Sequence, residues 1–244
     1  MLKKISVLFV LIVGAYLVFN NLEKKEKEEV VFPVVKEEES TAIELCFYKE
    51  NLVKDGLYDK ALLKMSLNKD KVSGEFRNLP AETDSKVGEF SGTVSPVIPE
   101  MMARIADAWW NSYAEGMNVT EELRIIFGEG TASVGFGEMV DRGDGVYVYK
   151  DKENIGYWQD LTDVSCDFLD DKILVEKFIR ENIKDLSPEK PVLGGSWYSY
   201  NIKVNPQNKS GEFTYEDGHI IGVATFTYER DGESVNIQNI LKIK

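Results

Sequence analysis

Short segments in which apolar and polar residues alternate recur along this chain, and they constrain its fold more than any other feature of the sequence. The first four are residues 43–48, 62–67, 72–76 and 87–94, and each is bounded by Gly, Asn, Asp or Pro. Alternation with a period of two between turn-forming residues is typical of antiparallel β-meanders. Most of the chain is therefore expected to form antiparallel strands.

Two segments depart from this alternation, because their apolar residues recur at helical spacing. The first predicts an amphipathic helix near 99–116, with a stripe made of Met102, Ala106, Trp110, Tyr113 and Met117. The second predicts a helix near 170–184, where one face carries Val175, Phe178, Ile179 and Ile183. The sequence therefore predicts an α+β fold of mainly antiparallel β-meanders with two amphipathic helices.

The N-terminus combines a basic start with an apolar run. Lys3 and Lys4 precede residues 5–19, which form a predominantly apolar core of 15 residues. Such a segment fits a secretory signal as well as a short membrane helix. No small-residue cleavage pattern and no lipid-attachment cysteine follows it, which favours a retained signal-anchor over a cleaved peptide. A buried core helix is a further alternative, and the lack of a polar face disfavours it.

The orientation of this anchor follows from the flanking charges. Lys3 and Lys4 favour a cytoplasmic N-terminus, although Lys24, Lys25 and Lys27 lie on the other side of the run. A long domain behind one anchor can be translocated regardless of local charge. We expect a single-pass membrane protein, contacting the membrane through its N-terminal helix, with its folded domain outside the cytoplasmic membrane.

Four regions are predicted. Residues 1–22 form the transmembrane or signal-anchor helix, and residues 23–41 form a charged tether. Residues 42–187 form a β-rich domain that contains both helices, and residues 188–244 form a C-terminal β-meander. The apolar centre of the tether, Val-Val-Phe-Pro-Val-Val, has an alternative interpretation as a docked edge strand, since Pro is tolerated at sheet edges.

A short repeat relates the C-terminal unit to residues 62–95. The segment MSLNKDKVSGEF at 65–76 aligns without gaps with IKVNPQNKSGEF at 202–213. In both copies Asn can open the turn, Gly permits a tight backbone and Phe can point into a core. Duplication of one β-unit and convergence on favourable turn chemistry both explain the match.

Cys46 and Cys166 are the only cysteines. An exported chain with an even number of cysteines usually pairs them, so we predict a disulfide. Two buried reduced thiols acting as small apolar side chains are the alternative. The spacing excludes a CxxC redox pair or a zinc ribbon.

The charge balance excludes several function classes. The chain carries 29 Lys and Arg against 42 Asp and Glu, a net charge of −13, which argues against nucleic acid as a partner. His219 is the only histidine, so metal sites that need two histidines are excluded. We predict no metal or other cofactor, with calcium at the acidic turn 138–144 as the one alternative.

The remaining motifs do not indicate a particular catalytic reaction. The Gly-rich stretch 127–138 lacks the Lys of a phosphate-binding loop and the third Gly of a dinucleotide fold, so strand packing explains it. Arg142-Gly143-Asp144 reads as a solvated turn, although it spells an integrin-type tripeptide. Residues 194–198 resemble the G-x-W motif of lipocalins, but too few residues follow Trp197 for an eight-stranded ligand barrel.

Four segments of the chain, 79–88, 127–149, 190–197 and 216–220, together resemble an uncharacterised group of bacterial membrane-anchored or exported proteins. The resemblance implies a bacterial envelope setting. It carries over no functional residues, because no activity is associated with the group.

These observations favour a non-enzymatic binding or interaction module of the cell envelope, with an envelope protein or glycan as its partner. The candidate binding residues are Glu129, Glu138, Asp141, Asp144 and Trp158. The alternative is an envelope hydrolase that acts on polysaccharide or peptidoglycan through a pair of these carboxylates. A structural module that spaces or caps a complex is a third class.

Overall fold

The computed structural model describes residues 42–54, 57–192 and 194–243, without the side chains of Trp158, Gln159 and Tyr200. The predicted anchor at 1–22 and the tether at 23–41 lie outside the described residues. In the part of the chain that is described, no helix combines the length and apolar character needed to cross a membrane.

Eight antiparallel strands close into a barrel. They are β1 (Ile43–Lys54), β2 (Leu57–Asn68), β3 (Lys71–Leu79), β4 (Lys86–Val94), β5 (Arg104–Ala114), β6 (Met117–Gly128), β7 (Thr131–Phe136) and β10 (Gly156–Val164). Neighbours pair in the order β5-β4-β3-β2-β1-β10-β7-β6, and β6 pairs back to β5. Closure leaves no free edge among these strands.

Alternation along each strand fills the barrel interior with side chains. On β2, for example, Leu63, Met65 and Leu67 point inward and are buried. An eight-stranded barrel has an interior just wide enough for side chains to fill. The buried core comprises Phe47, Ala61, Leu63, Met65, Leu67, Val72, Phe76, Phe90, Val94, Ala106, Ala108, Trp110, Leu123, Ile125, Phe127, Ala132, Val134 and Leu161.

The predicted helix near 99–116 is wrong, because β5 occupies most of that segment. Positions 106, 108, 110 and 112 are buried, whereas 107, 109, 111 and 113 are exposed, which is a period of two. The predicted helical stripe placed Trp110 and Tyr113 on one face, but Trp110 points into the barrel and Tyr113 points out of it. The expected α+β fold with two amphipathic helices is accordingly corrected to a mainly β fold with a closed barrel and one α-helix in the described residues.

A small hairpin extends the barrel sheet. It consists of β8 (Met139–Asp141) and β9 (Val146–Tyr149), and β9 runs parallel to β6 at Thr120 and Glu121. A 3-10 turn at Lys152–Asn154 then leads into β10.

The α-helix, α1 (Cys166–Leu186), follows the last barrel strand and includes the predicted range 170–184. The Ser165 hydroxyl accepts a hydrogen bond from the Phe168 N–H and caps its first turn. A four-stranded antiparallel sheet follows, made of β11 (Tyr198–Asn205), β12 (Ser210–Glu216), β13 (Ile221–Asp231) and β14 (Ser234–Lys242).

α1 lies between the two sheets. Val175, Ile179 and Ile183 pack into the core of the four-stranded sheet. Leu169 packs on the opposite side, against Leu62 on the outer wall of the barrel. The predicted disulfide is confirmed: Cys46 of β1 is bonded to Cys166 at the first turn of α1.

The two repeated segments pack in the same way on different sheets. Gly74 of β3 lies opposite Phe90, and Gly211 of β12 lies opposite Phe226. A Cβ at either glycine would lie 2.0 or 2.3 Å from a carbonyl oxygen of the preceding strand, so both positions require the bare backbone. The turns differ, since two residues join β2 to β3 and four join β11 to β12.

Candidate binding cleft

A cleft of about 650 Å³ opens between the outer wall of the barrel and α1. Strands β2 and β3 and the β3–β4 loop form one wall, one face of α1 forms the other, and the start of β11 closes one end. Sites for small molecules usually fall between about 300 and 1,000 Å³. This cleft has a volume in that range and is enclosed by the barrel, α1 and β11 together, which makes it the main candidate for a ligand site.

The helix wall exists because α1 carries a second apolar stripe. Leu169 and Ile173 are four residues apart, so they share the face that packs near Cys46 and Leu62. Glu176 and Arg180 continue this face beyond the packed contact, where it separates from the barrel. Contact near the disulfide and separation further along leave the space between them as a cleft.

A buried ion pair crosses the cleft floor. Lys60 Nζ lies 2.6 Å from Glu176 Oε1, and their side chains are 11% and 14% exposed. Lys60 also donates a hydrogen bond of 3.1 Å to the Ile202 carbonyl. One lysine thus joins β2, α1 and β11, which fixes the relative positions of the cleft walls.

Lys172 lies beside this pair and is only 6% exposed. Its Nζ is 4.8 Å from the centre of the Tyr48 ring and 5.8 Å from that of Phe168. Its carboxylate neighbour is Glu50, whose Oε2 is 3.4 Å away. Burial lowers the pKa of Lys172, and nearby Lys60 acts in the same direction.

One polar atom at the barrel side of this region, Arg77 Nε on the cleft wall, has no hydrogen-bond partner among the described residues. The Tyr48 hydroxyl lies near Lys172 and beside Glu50. The Arg77 Nη2 atom is held by Glu75 Oε1 at 2.7 Å. Burial and the nearby Glu50 raise the pKa of Tyr48, which keeps the phenol neutral. Unpartnered buried donors are uncommon in folded proteins, which makes Arg77 Nε an unusual feature of this wall.

The cleft is locally basic although the chain is acidic. Its charged lining residues are Lys60, Arg77, Lys172, Glu176, Lys177, Arg180 and Glu181. Apolar residues complete the walls: Leu57, Leu62, Leu79, Pro80 and Ile173. Five cations against two carboxylates, with apolar surface between them, form a site suited to an anion that has an apolar body.

The candidate carboxylates from the sequence lie elsewhere. Glu138, Asp141 and Asp144 are exposed on the β8–β9 hairpin or beside it. Glu129 is exposed in the β6–β7 turn, eight residues beyond Glu121, where β9 pairs with β6. At about 3.3 Å per residue this is roughly 25 Å along the strand. The first three are therefore brought together and Glu129 is not.

Each hairpin carboxylate already has partners. Glu138 is 2.7 Å from Lys150 Nζ, and Asp141 accepts hydrogen bonds from two backbone N–H groups of its own turn. A hydrogen bond from Arg142 holds the pKa of Asp144 below its usual value. No group of three or more acidic, His or Cys side chains suited to a metal ion occurs in the described part of the chain.

The sequence analysis singled out two tryptophans, Trp158 and Trp197. Trp158 is in β10, and its side chain is outside the described part. Trp197 is buried in the core of the four-stranded sheet, 5.0 Å from the Tyr215 ring, and donates a hydrogen bond to the Glu189 carbonyl. The eight-stranded barrel is formed upstream of Trp197, so the G-x-W-like segment takes no part in it.

Sequence reasoning missed Lys60, Arg77, Lys172 and Glu176. They are ordinary polar residues in the sequence, and they converge only when the helix docks on the barrel. One signal was present: Leu169 and Ile173 form a second apolar stripe on α1, which indicates a helix packed on two sides.

The chain matches no protein-family model, and no curated protein or solved structure is similar to it at a significant level. The functional argument therefore depends on the chemistry of the cleft.

Proposed function

We propose that this protein is an extracytoplasmic binding module, attached to the membrane by its N-terminal segment, that binds a small organic anion in the cleft between the barrel and α1. The observation that carries the proposal is the reversal of charge: five cations and two carboxylates line the cleft of a chain whose net charge is −13. A concave basic site within an acidic surface concentrates anions locally.

Arg77 is the residue best placed to hold the anion. Its guanidinium is planar and suited to carboxylate or phosphate oxygens, and its side chain lines the cleft wall. The apolar side chains of Leu57, Leu79 and Pro80 line the same wall and suit an apolar portion of the ligand. The four carboxylates of the hydrolase alternative lie outside this cleft, so the cleft does not support that alternative, which stays a prediction from the sequence.

Thermal-shift and calorimetric titrations test the proposal, using small carboxylates and phosphates with apolar bodies and neutral amides of the same shape. We expect the anions to stabilise the full-length chain and the amides to have no effect. Arg77→Met should weaken binding about ten- to a hundredfold, because a hydrogen bond to a charged group contributes roughly 1.5–3 kcal/mol.

Arg124→Met is the matched control, because Arg124 pairs with Asp107 at 2.7 Å on the outside of the barrel, away from the cleft. It should leave binding unchanged. Equal stabilisation by anions and amides, or an equal loss of affinity in both variants, would show that the cleft is not an anion site.

A further inference from the structure

We propose that Lys172 is a reactive amine, and that it binds a carbonyl-bearing anion covalently as an imine in the cleft. This inference rests on the proposed function, because it places the anion in the same site. A lysine acts as a nucleophile only when its amine is neutral, and a desolvated lysine beside a second cation is a known way to reach that state.

Lys172 combines burial with a long ion pair, whereas Lys177 and Lys203, whose carboxylate contacts are 4.0 and 3.8 Å, are more exposed. Lys60, Lys64, Lys86, Lys150, Lys152 and Lys242 each have a carboxylate oxygen at 2.6–2.9 Å. Lys172 is buried, yet its carboxylate oxygen from Glu50 is 3.4 Å away. Charge-assisted N–H···O bonds are normally about 2.7–2.9 Å, so the ammonium form is poorly compensated.

The charged and titratable groups around Lys172 come from three elements. They are Glu50 and Tyr48 of β1, Lys60 of β2, and Glu176 of α1. Glu50 and Glu176 favour the ammonium form, whereas burial and Lys60 favour the neutral amine. The Tyr48 phenol is neutral, and its ring face, 4.8 Å from Nζ, also favours the ammonium form. The balance lowers the pKa of Lys172, in agreement with its weak pairing.

Imine formation needs no further reagent. The Nζ lone pair attacks the carbonyl carbon, and both amine protons finally leave with the carbonyl oxygen as water. A C=N bond replaces the C=O bond, and no atom is oxidised or reduced. Arg77 lines the same cleft and can hold the anionic group of the ligand while its carbonyl meets Lys172.

Pyridoxal 5′-phosphate serves as an anionic aldehyde probe for the full-length chain, and pyridoxal is the probe without the phosphate. Sodium cyanoborohydride reduces the imine to a stable secondary amine, and peptide mass spectrometry locates it. At pH 7 we expect Lys172 to be labelled faster than exposed Lys150, since a lowered pKa raises the fraction of the amine that is neutral. The phosphate should increase this preference.

Variants of the surrounding charges test the origin of the reactivity. Glu50→Gln should speed the labelling of Lys172 and extend it to lower pH, because it removes a group that favours the ammonium. Lys60→Met should slow it. Lys150→Met, on the exposed hairpin, should leave the rate at Lys172 unchanged. A lysine with only a structural role would not respond in these opposite directions.

The outcomes separate the two proposals. Reversible anion binding without label at Lys172 would contradict the reactive amine and leave the proposed function standing. Label at Lys172 by both aldehydes at equal rates, with no anion binding, would support the reactive amine and contradict the anion site. Lys172 labelled no faster than Lys150 overturns the inference.

Discussion

Asp171 and Lys172 are adjacent on α1, buried to a similar degree, and face opposite sheets. Asp171 is 1% exposed on the side of the four-stranded sheet, where it accepts hydrogen bonds from Tyr228 at 2.8 Å, from Arg230 at 2.5 Å and from Lys209. Lys172 is 6% exposed on the barrel side, with its carboxylate partner at 3.4 Å. One charge is compensated by short contacts and the other is not.

This difference in compensation marks Asp171 as a structural charge and Lys172 as a candidate functional one. Burial raises the pKa of Asp171, but the three hydrogen bonds together outweigh it, so the pKa is lowered and the carboxylate stays charged. Lys172 lacks such partners, so burial dominates. Both faces of α1 make apolar contacts, and each has a further attachment: the polar cluster around Asp171 on the sheet face, and the disulfide on the barrel face.

Removal of the disulfide should have the largest effect. The bond closes a loop across a sequence separation of 120 residues, and the chain-entropy model assigns about 5 kcal/mol to a loop of that length. We expect the Cys46→Ser, Cys166→Ser double variant to lose about this much stability in urea unfolding. Hydrogen exchange should rise first where α1 meets the barrel. Faster exchange at the sheet face instead would contradict the division between the two faces.

Asp171→Ala should have the next largest effect, about 3 kcal/mol, because it removes the buried acceptor that Arg230, Tyr228 and Lys209 share. Asp167→Ala is the matched control, since Asp167 also pairs with Arg230 but its side chain is 90% exposed. We expect the control to lose less than about 1 kcal/mol. Equal losses in urea unfolding would mean that burial does not distinguish the two carboxylates.

The sequence predicted local features better than long-range ones. Leu63, Met65 and Leu67 alternate clearly, so β2 was recognisable from the sequence alone. Trp110 was assigned to a helix because its spacing from Ala106 also fits a helical stripe. The segment is a strand because β5 pairs with both β4 and β6, and these pairings are not visible in the local sequence. Cys46–Cys166 was the one predictable distant contact, because no other cysteine competes for either partner.

The cleft could not be predicted in the same way. Lys60 and Glu176 are 116 positions apart in the sequence, and each alone reads as an ordinary solvated residue. Their burial depends on how α1 docks between the barrel and the four-stranded sheet. Closure of the barrel likewise depends on the distant pairing of β1 with β10, which no local pattern encodes.

Lys172→Met should change stability by less than about 1 kcal/mol in either direction. Methionine keeps an apolar stem against Tyr48 and removes the cost of burying an amine, and replacing a buried charge with an apolar group is often neutral or stabilising. Lys60→Met should cost more, about 2 kcal/mol, because it leaves Glu176 buried without a partner. A larger loss for Lys172→Met than for Lys60→Met in urea unfolding would place Lys172 among the structural charges.

The smallest expected effect is on how the free energy of unfolding depends on pH. Asp171 should affect it in the acid range and Lys172 in the alkaline range. The lowered pKa of Asp171 contributes stability above its unfolded value, near 3.9, and this is lost as pH falls through the folded pKa. The lowered pKa of Lys172 means that the unfolded chain binds more protons below about pH 10.4, so stability rises with pH towards that value.

The alkaline effect is isolated by subtracting the unfolding free energy of the wild type from that of Lys172→Met at each pH. Because only the wild type carries the buried amine, the cost of burying it should shrink as the pH rises towards about 10.4, with a slope below about 1.4 kcal/mol per pH unit. Asp171→Asn, treated in the same way, should show its change only in the acid range. A difference for Lys172→Met that stays constant up to pH 10 would mean that Lys172 titrates like an exposed lysine, and the contrast between the two faces of α1 would then be one of packing and not of charge.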